Sequence, residues 1–396
     1  MTDQASAFSP PPMSLIALFA KFLRFGALAF GGPVTQIAML RQALVEKEHW
    51  IDPARFNRLL AVMQILPGPE AHELCVHFGM IARGRIGGLL AGLGFMLPGL
   101  LLMMLAGWLY VSVISGSPGF GPMLLGIQIV VLAVILRAVI RIGQHVLEDR
   151  TLIMIAVGAL IATMVGVPFW IPLVAGGLIY AMLDRPLYLV IVLASAGTLA
   201  IVLRIILAGA APSVAANEPA TVMALFVAGL KGGLLTFGGA YTAIPYVRAD
   251  TVNRGWISDA TFLDGIAIAG ILPAPLVIFA TFVGYVVGGP GGALAITAGM
   301  FLPAFAFSMI FFERLEAVVA DPRLHRLLTG IAAAVVGIIA GTLIDIAQTT
   351  AGRVSQPIVA LILLGAAFIA AWRLKGAWMT PVIIAFGGIA GWVLTP

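Results

Sequence analysis

Charge is scarce in this chain of 396 residues, where Asp, Glu, Lys and Arg make up 10% and hydrophobic residues 61%. Soluble domains carry roughly 25% charged residues, so with a mean hydropathy of +1.09 an integral membrane protein is expected. Cysteine is nearly absent: Cys75 stands alone, which excludes an intramolecular disulfide and any cysteine-based metal cluster. Ten-residue stretches of alternating polarity are missing as well, so the apolar runs read as helices and not as the strands of a barrel. Residues 1–12 are polar and proline-rich and lack the basic start of a cleaved signal peptide; they read as a disordered cytoplasmic N-terminus. No Walker lysine motif, GxSxG or HExxH occurs, and neither an enzyme, a cofactor nor a bound metal is expected. The net charge of +5 needs no nucleic-acid partner, because basic cytoplasmic loops supply it.

What is present is a duplication. Phe30-Gly31-Gly32-Pro33-Val34-Thr35-Gln36 is largely rewritten as Phe237-Gly238-Gly239-Ala240-Tyr241-Thr242-Ala243, at an offset of 207. The correspondence continues through Arg24 and Lys231, Arg41 and Arg248, and Trp50-Ile51 and Trp256-Ile257. Leu66-Pro67-Gly68-Pro69 then matches Leu272-Pro273-Ala274-Pro275, and Leu97-Pro98 matches Leu302-Pro303, as the offset slips to 206 and 205. Solenoid periods run to about 50 residues, so this is a duplicated domain: a first repeat at 13–209, a linker at 210–220 and a second repeat at 221–396.

Each repeat opens with apolar arms shorter than the roughly 20 residues a full span needs. They read as re-entrant helical hairpins broken at Gly31-Gly32, at Pro67-Gly68-Pro69 and at the two equivalent positions of the second repeat. Full spans are expected at 86–113, 121–144, 151–166, 168–183, 187–208, 291–312, 324–348, 355–373 and 378–394. Loop charge gives their orientation. Arg83 and Arg85 precede the long span of the first repeat, with an uncharged loop after it; in the second repeat Gly288 to Gly292 is uncharged and Arg314, Arg323, His325 and Arg326 follow. The positive-inside rule therefore implies halves of inverted topology, as in inverted-repeat transporters. Arg248 and Arg254 would lie outside, offset in part by Asp250 and Asp259. The expected fold is an all-α polytopic membrane protein with re-entrant hairpins and full transmembrane helices.

A helix broken in mid-membrane leaves backbone N–H groups at the start of the next half-helix. Such groups carry partial positive charge and bind oxyanions. The candidate substrate-binding residues are Gly31, Gly32, Thr35, Gln36, Gly68, Gly238, Gly239, Tyr241 and Thr242, with the intramembrane cations Arg24 and Lys231 attracting a dianion. The same glycines and prolines could serve packing and kinking alone, and the two cations could snorkel to the interface. Glu70, at a half-helix N-terminus, and His72 break the symmetry of the repeats and are candidate proton carriers; Glu70 could equally be a cap. Asp264 and Asp345 are secondary candidates.

Phe-Gly-Gly-Pro at 30–33, Leu-Pro-Gly-Pro-Glu at 66–70, Gly-Gly-Ala-Tyr at 238–241 and the paired halves together resemble the chromate ion transporter family, in its long two-domain bacterial form. The resemblance implies two homologous halves and chromate efflux across the inner membrane, driven by the proton-motive force. Two departures stand out. Ala274 occupies the position of a glycine in a Thr-Pro-Gly-Pro type sequence, and the acidic residue often found just before that motif is missing. Chromate or sulfate as cargo, protons and the lipid bilayer are the expected partners, with a second copy of the chain expected from the habits of inverted-repeat transporters. Uptake of sulfate or another oxyanion, or a passive anion channel, are the alternatives. An enzyme acting on a lipid phosphate would need a clustered acid/base or metal set that the sequence does not show.

Overall fold

The computed structural model describes residues 8–64, 67–115, 117–209, 219–237, 239–310, 322–374, 376 and 378–394. Leu66, Gly238, Arg314 and most of the expected linker lie outside them, as do residues 1–7. Among the described residues there are helices and no strands. In the first half these are α1 (Leu15–Ala27), α2 (Pro33–Leu40), α3 (Pro53–Met63), α4 (Glu70–Leu109), α5 (Gly121–Val146), α6 (Arg150–Met164), α7 (Trp170–Ala181) and α8 (Pro186–Gly209). The second half contains α9 (Val222–Leu234), α10 (Ile244–Thr251), α11 (Asp259–Ile271), α12 (Phe279–Ile310), α13 (Pro322–Ala351), α14 (Pro357–Arg373) and α15 (Met379–Leu394).

The repeat is visible in the smallest details. Ser14 caps α1 by accepting from the Ala17 N–H at 3.1 Å, and Thr221, 207 residues on, caps α9 by accepting from Ala224 at 3.1 Å. Asp52 and Ser258 cap α3 and α11 in the same way. Such a cap contributes about 1 kcal/mol by satisfying a donor the helix cannot use.

The expected loops at 83–85 and 288–292 contract to two-residue breaks. Arg83 and Gly84 have φ/ψ of −147°/29° and 63°/−156°, and Gly288 and Gly289 have −134°/19° and 60°/−156°. Each break reverses the chain. A Cβ on Gly79 would meet the Gly87 carbonyl oxygen, and one on Gly284 would meet that of Gly292. In a continuous helix those residues would stand about 12 Å apart. Glu70–Ile114 and Leu276–Ile310 are long and apolar enough to cross a membrane, yet each is a short arm folded against a long one. The other helices of that length are Gly121–Val146, Pro186–Leu203 and Arg323–Ala351. The expected spans at 151–166 and 168–183 are helices of 15 and 12 residues.

Packing interleaves the halves. α1 lies on α4 and α9 on α12, with Gly26 against the backbone of Phe95 and Gly233 against that of Met300. α5 of the first half packs on α14 and α15 of the second, and α13 of the second on α6 and α7 of the first, while α4 meets α12 and α5 meets α13. One apolar core accordingly runs through both halves. A smaller one, including Phe22, Trp50, Phe56, Phe78 and Phe95, holds α1 to α4 together.

Ion pairs fall into two sets. Lys21 with Glu48, Arg41 with Glu46 at 3.2 Å and Arg326 with Asp184 at 2.6 Å form one. Lys231 with Asp250 at 3.1 Å, Arg254 with Asp250 at 3.3 Å, and Arg248 with Asp259 at 2.7 Å and Asp345 at 3.7 Å form the other. Among these pairs none joins one set to the other. Exposed pairs stabilise by only about 0–1 kcal/mol; their use here is to report which loops share a face.

Glycine at the helix crossings is the packing requirement with the clearest consequence. A Cβ on Gly229 would stand 2.0 Å from the Ile296 carbonyl oxygen, whereas one on Gly158 meets nothing within 4 Å. Gly229→Leu should lower the thermal unfolding midpoint in detergent, with an overpacking cost of about 1–3 kcal/mol or more, while Gly158→Leu leaves it unchanged.

Candidate functional site

The four interrupted elements meet. At the first tip, Gly31 and Gly32 adopt φ of 85° and 81°, a region that favours glycine, and Gly32 caps α2 with no side-chain bond. In the second half Gly239, at φ 129°, precedes a 3-10 turn over Ala240–Ala243 that leads into α10. A Cβ on Gly32 or Gly239 would meet nothing within 4 Å. These glycines are required by conformation and not by crowding, and the space beside them is open.

Two cross-half bridges lock the tips together. The Gly68 N–H, between Pro67 and Pro69, donates to the carbonyl of Thr236 at 2.8 Å. Buried Gln36 donates through Nε2 to the carbonyls of Ala29 at 2.8 Å and Ala274 at 2.9 Å. Ala29 and Thr236 are repeat equivalents, as are Gly68 and Ala274, so both bridges join the same pair of positions. One does it directly, the other through an inserted side chain. Gln36 and Gly68 thus spend these donors on holding the site together.

Thr35 donates to the Gly31 carbonyl at 3.2 Å and Thr242 to that of Gly239 at 2.6 Å, leaving their oxygens as acceptors and the first-turn N–H groups as the donors for an anion. The two cations differ. Arg24 is exposed on α1, whereas the Lys231 charge is matched by Asp250 at 3.1 Å. Gly238 lies outside the described residues.

On the first arm of α4, Glu70, His72, Glu73 and His77 are all buried. His72 stands between the rings of Phe301 and Phe305 of α12, at 4.9 and 4.7 Å, and so faces the long span of the other half. Glu73 faces the tips: a Cβ on Gly68 would fall 2.5 Å from its Oε1. Both its carboxylate oxygens are buried with no hydrogen-bond partner among the described residues.

The sequence matches the chromate transporter family over residues 16–181 and 223–392, one segment in each half. The chain belongs to the chromate transporter family. A chromate transport protein of Pseudomonas aeruginosa is 55% identical over 100% of this chain and 96% of its own length. Another, from Cupriavidus metallidurans, is 27% identical over 91% of this chain and 90% of its own. The probable chromate transport protein of Synechococcus elongatus is 27% identical over 96% of each. No solved structure matches the chain. The relatives named are transporters and not enzymes.

The departure at Ala274 has a physical explanation within this chromate transporter fold. A Cβ on Gly99 would lie 2.3 Å from the Ala274 methyl, and one on Gly68 would lie 3.3 Å from the Ala304 methyl. Gly99 and Ala304 are themselves repeat equivalents, 205 apart. Each of these contacts thus pairs a glycine of the first half with an alanine of the second, with tip and arm exchanged, and the methyl group absent at Gly99 makes room for the one gained at Ala274.

Two residues not among the proposed site set belong near the tips. Glu73 lies one turn after Glu70, and only its contact with Gly68 separates it from its neighbours. Arg137 sits within the apolar run of α5, half-buried and within electrostatic reach of Tyr241. An ionisable group inside such a run is itself a signal of function.

Compensation at the tip is testable by a double-mutant cycle. Gly99→Ala alone should destabilise the protein by about 1–3 kcal/mol. Gly99→Ala combined with Ala274→Gly, which copies the arrangement at Gly68 and Ala304, should recover most of the loss in a thermal-unfolding assay.

Proposed function

We propose that this protein exports chromate, a tetrahedral divalent oxyanion, across the bacterial inner membrane, with the proton-motive force as the driving gradient. The observation that carries the reading is the meeting of four interrupted elements from two halves, with open space at Gly32 and Gly239. A helix N-terminus presents roughly half a positive charge, and several of them around one site match a dianion without any side chain of full charge. The N–H groups of Val34 and Thr35 after Gly32, and of Ala240 and Tyr241 after Gly239, bind the oxygens, with the Tyr241 hydroxyl at the rim, while the Thr35 and Thr242 hydroxyls are held by the Gly31 and Gly239 carbonyls. Arg24, Arg137 and Lys231 set the surrounding potential. The similarity to the chromate transport proteins of P. aeruginosa and C. metallidurans supports chromate as the cargo. Sulfate has the same charge and nearly the same shape, so a cradle of N–H donors binds it too.

The two halves lie in the membrane in opposite orientations and alternate access to the site, in this reading. The separation of ion pairs into two sets supports it. Arg326 pairs with Asp184 near the start of α13, and Asp345, near the other end of the same helix and roughly 28 Å along it, faces Arg248. It also answers the difficulty of external arginines, since Arg248 and Arg254 are matched by Asp259, Asp345 and Asp250. Glu70 and Glu73 are the carboxylates that take up the coupling proton nearest the anion. A buried carboxylate without a hydrogen-bond partner is costly when ionised, and Glu73 is placed so that its charge opposes that of an anion at the tips.

Transport in proteoliposomes tests the proposal. Wild-type protein should accumulate labelled chromate when a pH gradient is imposed, with unlabelled sulfate competing. The double variant Gly32→Leu with Gly239→Leu, which fills the open space, should show neither flux nor competition. Accumulation by that variant at the wild-type rate would place the anion elsewhere.

A further inference from the structure

A further buried carboxylate lies on α11, about two turns before the tip at 272–275. Asp264, on α11, is 2% exposed. Its Oδ2 accepts from the Tyr110 hydroxyl at 2.8 Å and its Oδ1 from Gln128 Nε2 at 2.8 Å. Gln128 Oε1 in turn accepts from Arg353 at 2.9 Å. Tyr110 follows α4 and Gln128 lies on α5, both in the first half; Asp264 and Arg353 belong to the second. The chain of four is therefore a polar clasp between the halves, separate from the bridges at the tips.

The clasp sits at the edge of a cavity of about 550 Å³ whose lining includes Tyr110, Ser115, Ser117, Gly121 and Thr261. Tyr110 is shared between the cavity and the carboxylate, and Thr261 lies one turn before Asp264 on α11. Ser115 and Ser117 belong to the loop between α4 and α5, which the charge pattern puts on the outer face. Few other groups bear on Asp264. Tyr110 is the titratable neighbour and Arg353, through Gln128, the charged one. α12 offers the ring of Phe282, 4.9 Å from that of Tyr110, and Ile384 and Thr380 of α15 pack near Gly270, at the far end of α11.

We infer that Asp264 is the outer-face proton acceptor of the transport cycle and that its clasp with Tyr110, Gln128 and Arg353 is the outer gate. This rests on the proton-driven reading above. Ionised, the carboxylate accepts both donors and ties the halves shut on that face. A proton arriving from water in the cavity forms an O–H bond on the carboxylate. The neutral acid has lost its charge and its hydroxyl oxygen is a poor acceptor, so the charge-assisted bonds from Tyr110 and Gln128 are both weakened. The clasp loosens and the outer side opens, which ties release of the anion to entry of the proton.

Two assays on purified protein in proteoliposomes separate the possibilities. Counterflow of labelled against unlabelled chromate needs no gradient; accumulation under an imposed pH gradient does. Asp264→Asn, which keeps the shape and cannot change charge, should retain counterflow within about twofold and lose about tenfold or more of the driven accumulation, in the range of allosteric coupling. Tyr110→Phe removes one donor to the ionised form and should move the pH of half-maximal driven transport upward. Driven accumulation preserved in Asp264→Asn, equal loss of counterflow and accumulation, or an unmoved profile in Tyr110→Phe overturns the inference. Should Asp264→Asn fail to fold, the Tyr110→Phe profile decides alone. Wild-type protein with counterflow but no gradient-driven accumulation would instead remove the proton-driven reading itself.

Discussion

Backbone that leaves the helix inside a bilayer has no water to bond with, and each unsatisfied N–H or C=O there costs several kcal/mol. The rest of this structure depends on how that constraint is met. The carbonyl of Thr236 is answered by the N–H of Gly68, and those of Ala29 and Ala274 by one glutamine side chain. Two of these three bonds cross between the halves, which is why the two halves cannot be separate bundles. The same breaks that need these bridges leave first-turn N–H groups open, and those are what an oxyanion can use.

The scaffold is nearly symmetric while its chemistry is not. Caps, glycine crossings and two-residue reversals recur at constant offsets, because both halves solve the same packing problem. Glu70, His72, Glu73 and His77 have no ionisable counterparts, and Asp264 stands opposite Arg58. A carrier of a dianion needs few full charges near its site and needs them unevenly placed, so that a proton can be taken up on one side and given up on the other. Lys231 illustrates the economy: its charge is balanced by Asp250, and the attraction at the tips is left to backbone dipoles.

Much of this was legible in the chain because it is local. Gly31-Gly32 and Pro67-Gly68-Pro69 announce helix breaks by their own conformational limits, and duplication turns one weak signal into two. The hairpins of the first half accordingly begin and end within a few residues of where their composition places them. The loops expected at 83–85 and 288–292 instead became two-residue reversals, since Gly79 and Gly284 allow the arms to touch, and that contact is set by tertiary packing. For the same reason Gln36 reads as a ligand residue in the sequence and serves as a bridge in the fold. The pairing of Gly99 with Ala274 joins residues more than a hundred positions apart, and nothing local marks it.

The central claim is that an oxyanion sits between the two glycine tips, against backbone and not against a cation. Its most direct test is the anomalous scattering of chromium in crystals of the wild-type protein soaked in chromate. The account predicts a peak between the first turn of α2 and the turn over Ala240–Ala243, within hydrogen-bond reach of their N–H groups. A peak confined to the exposed arginines, or seated on Arg137 away from both tips, would contradict it.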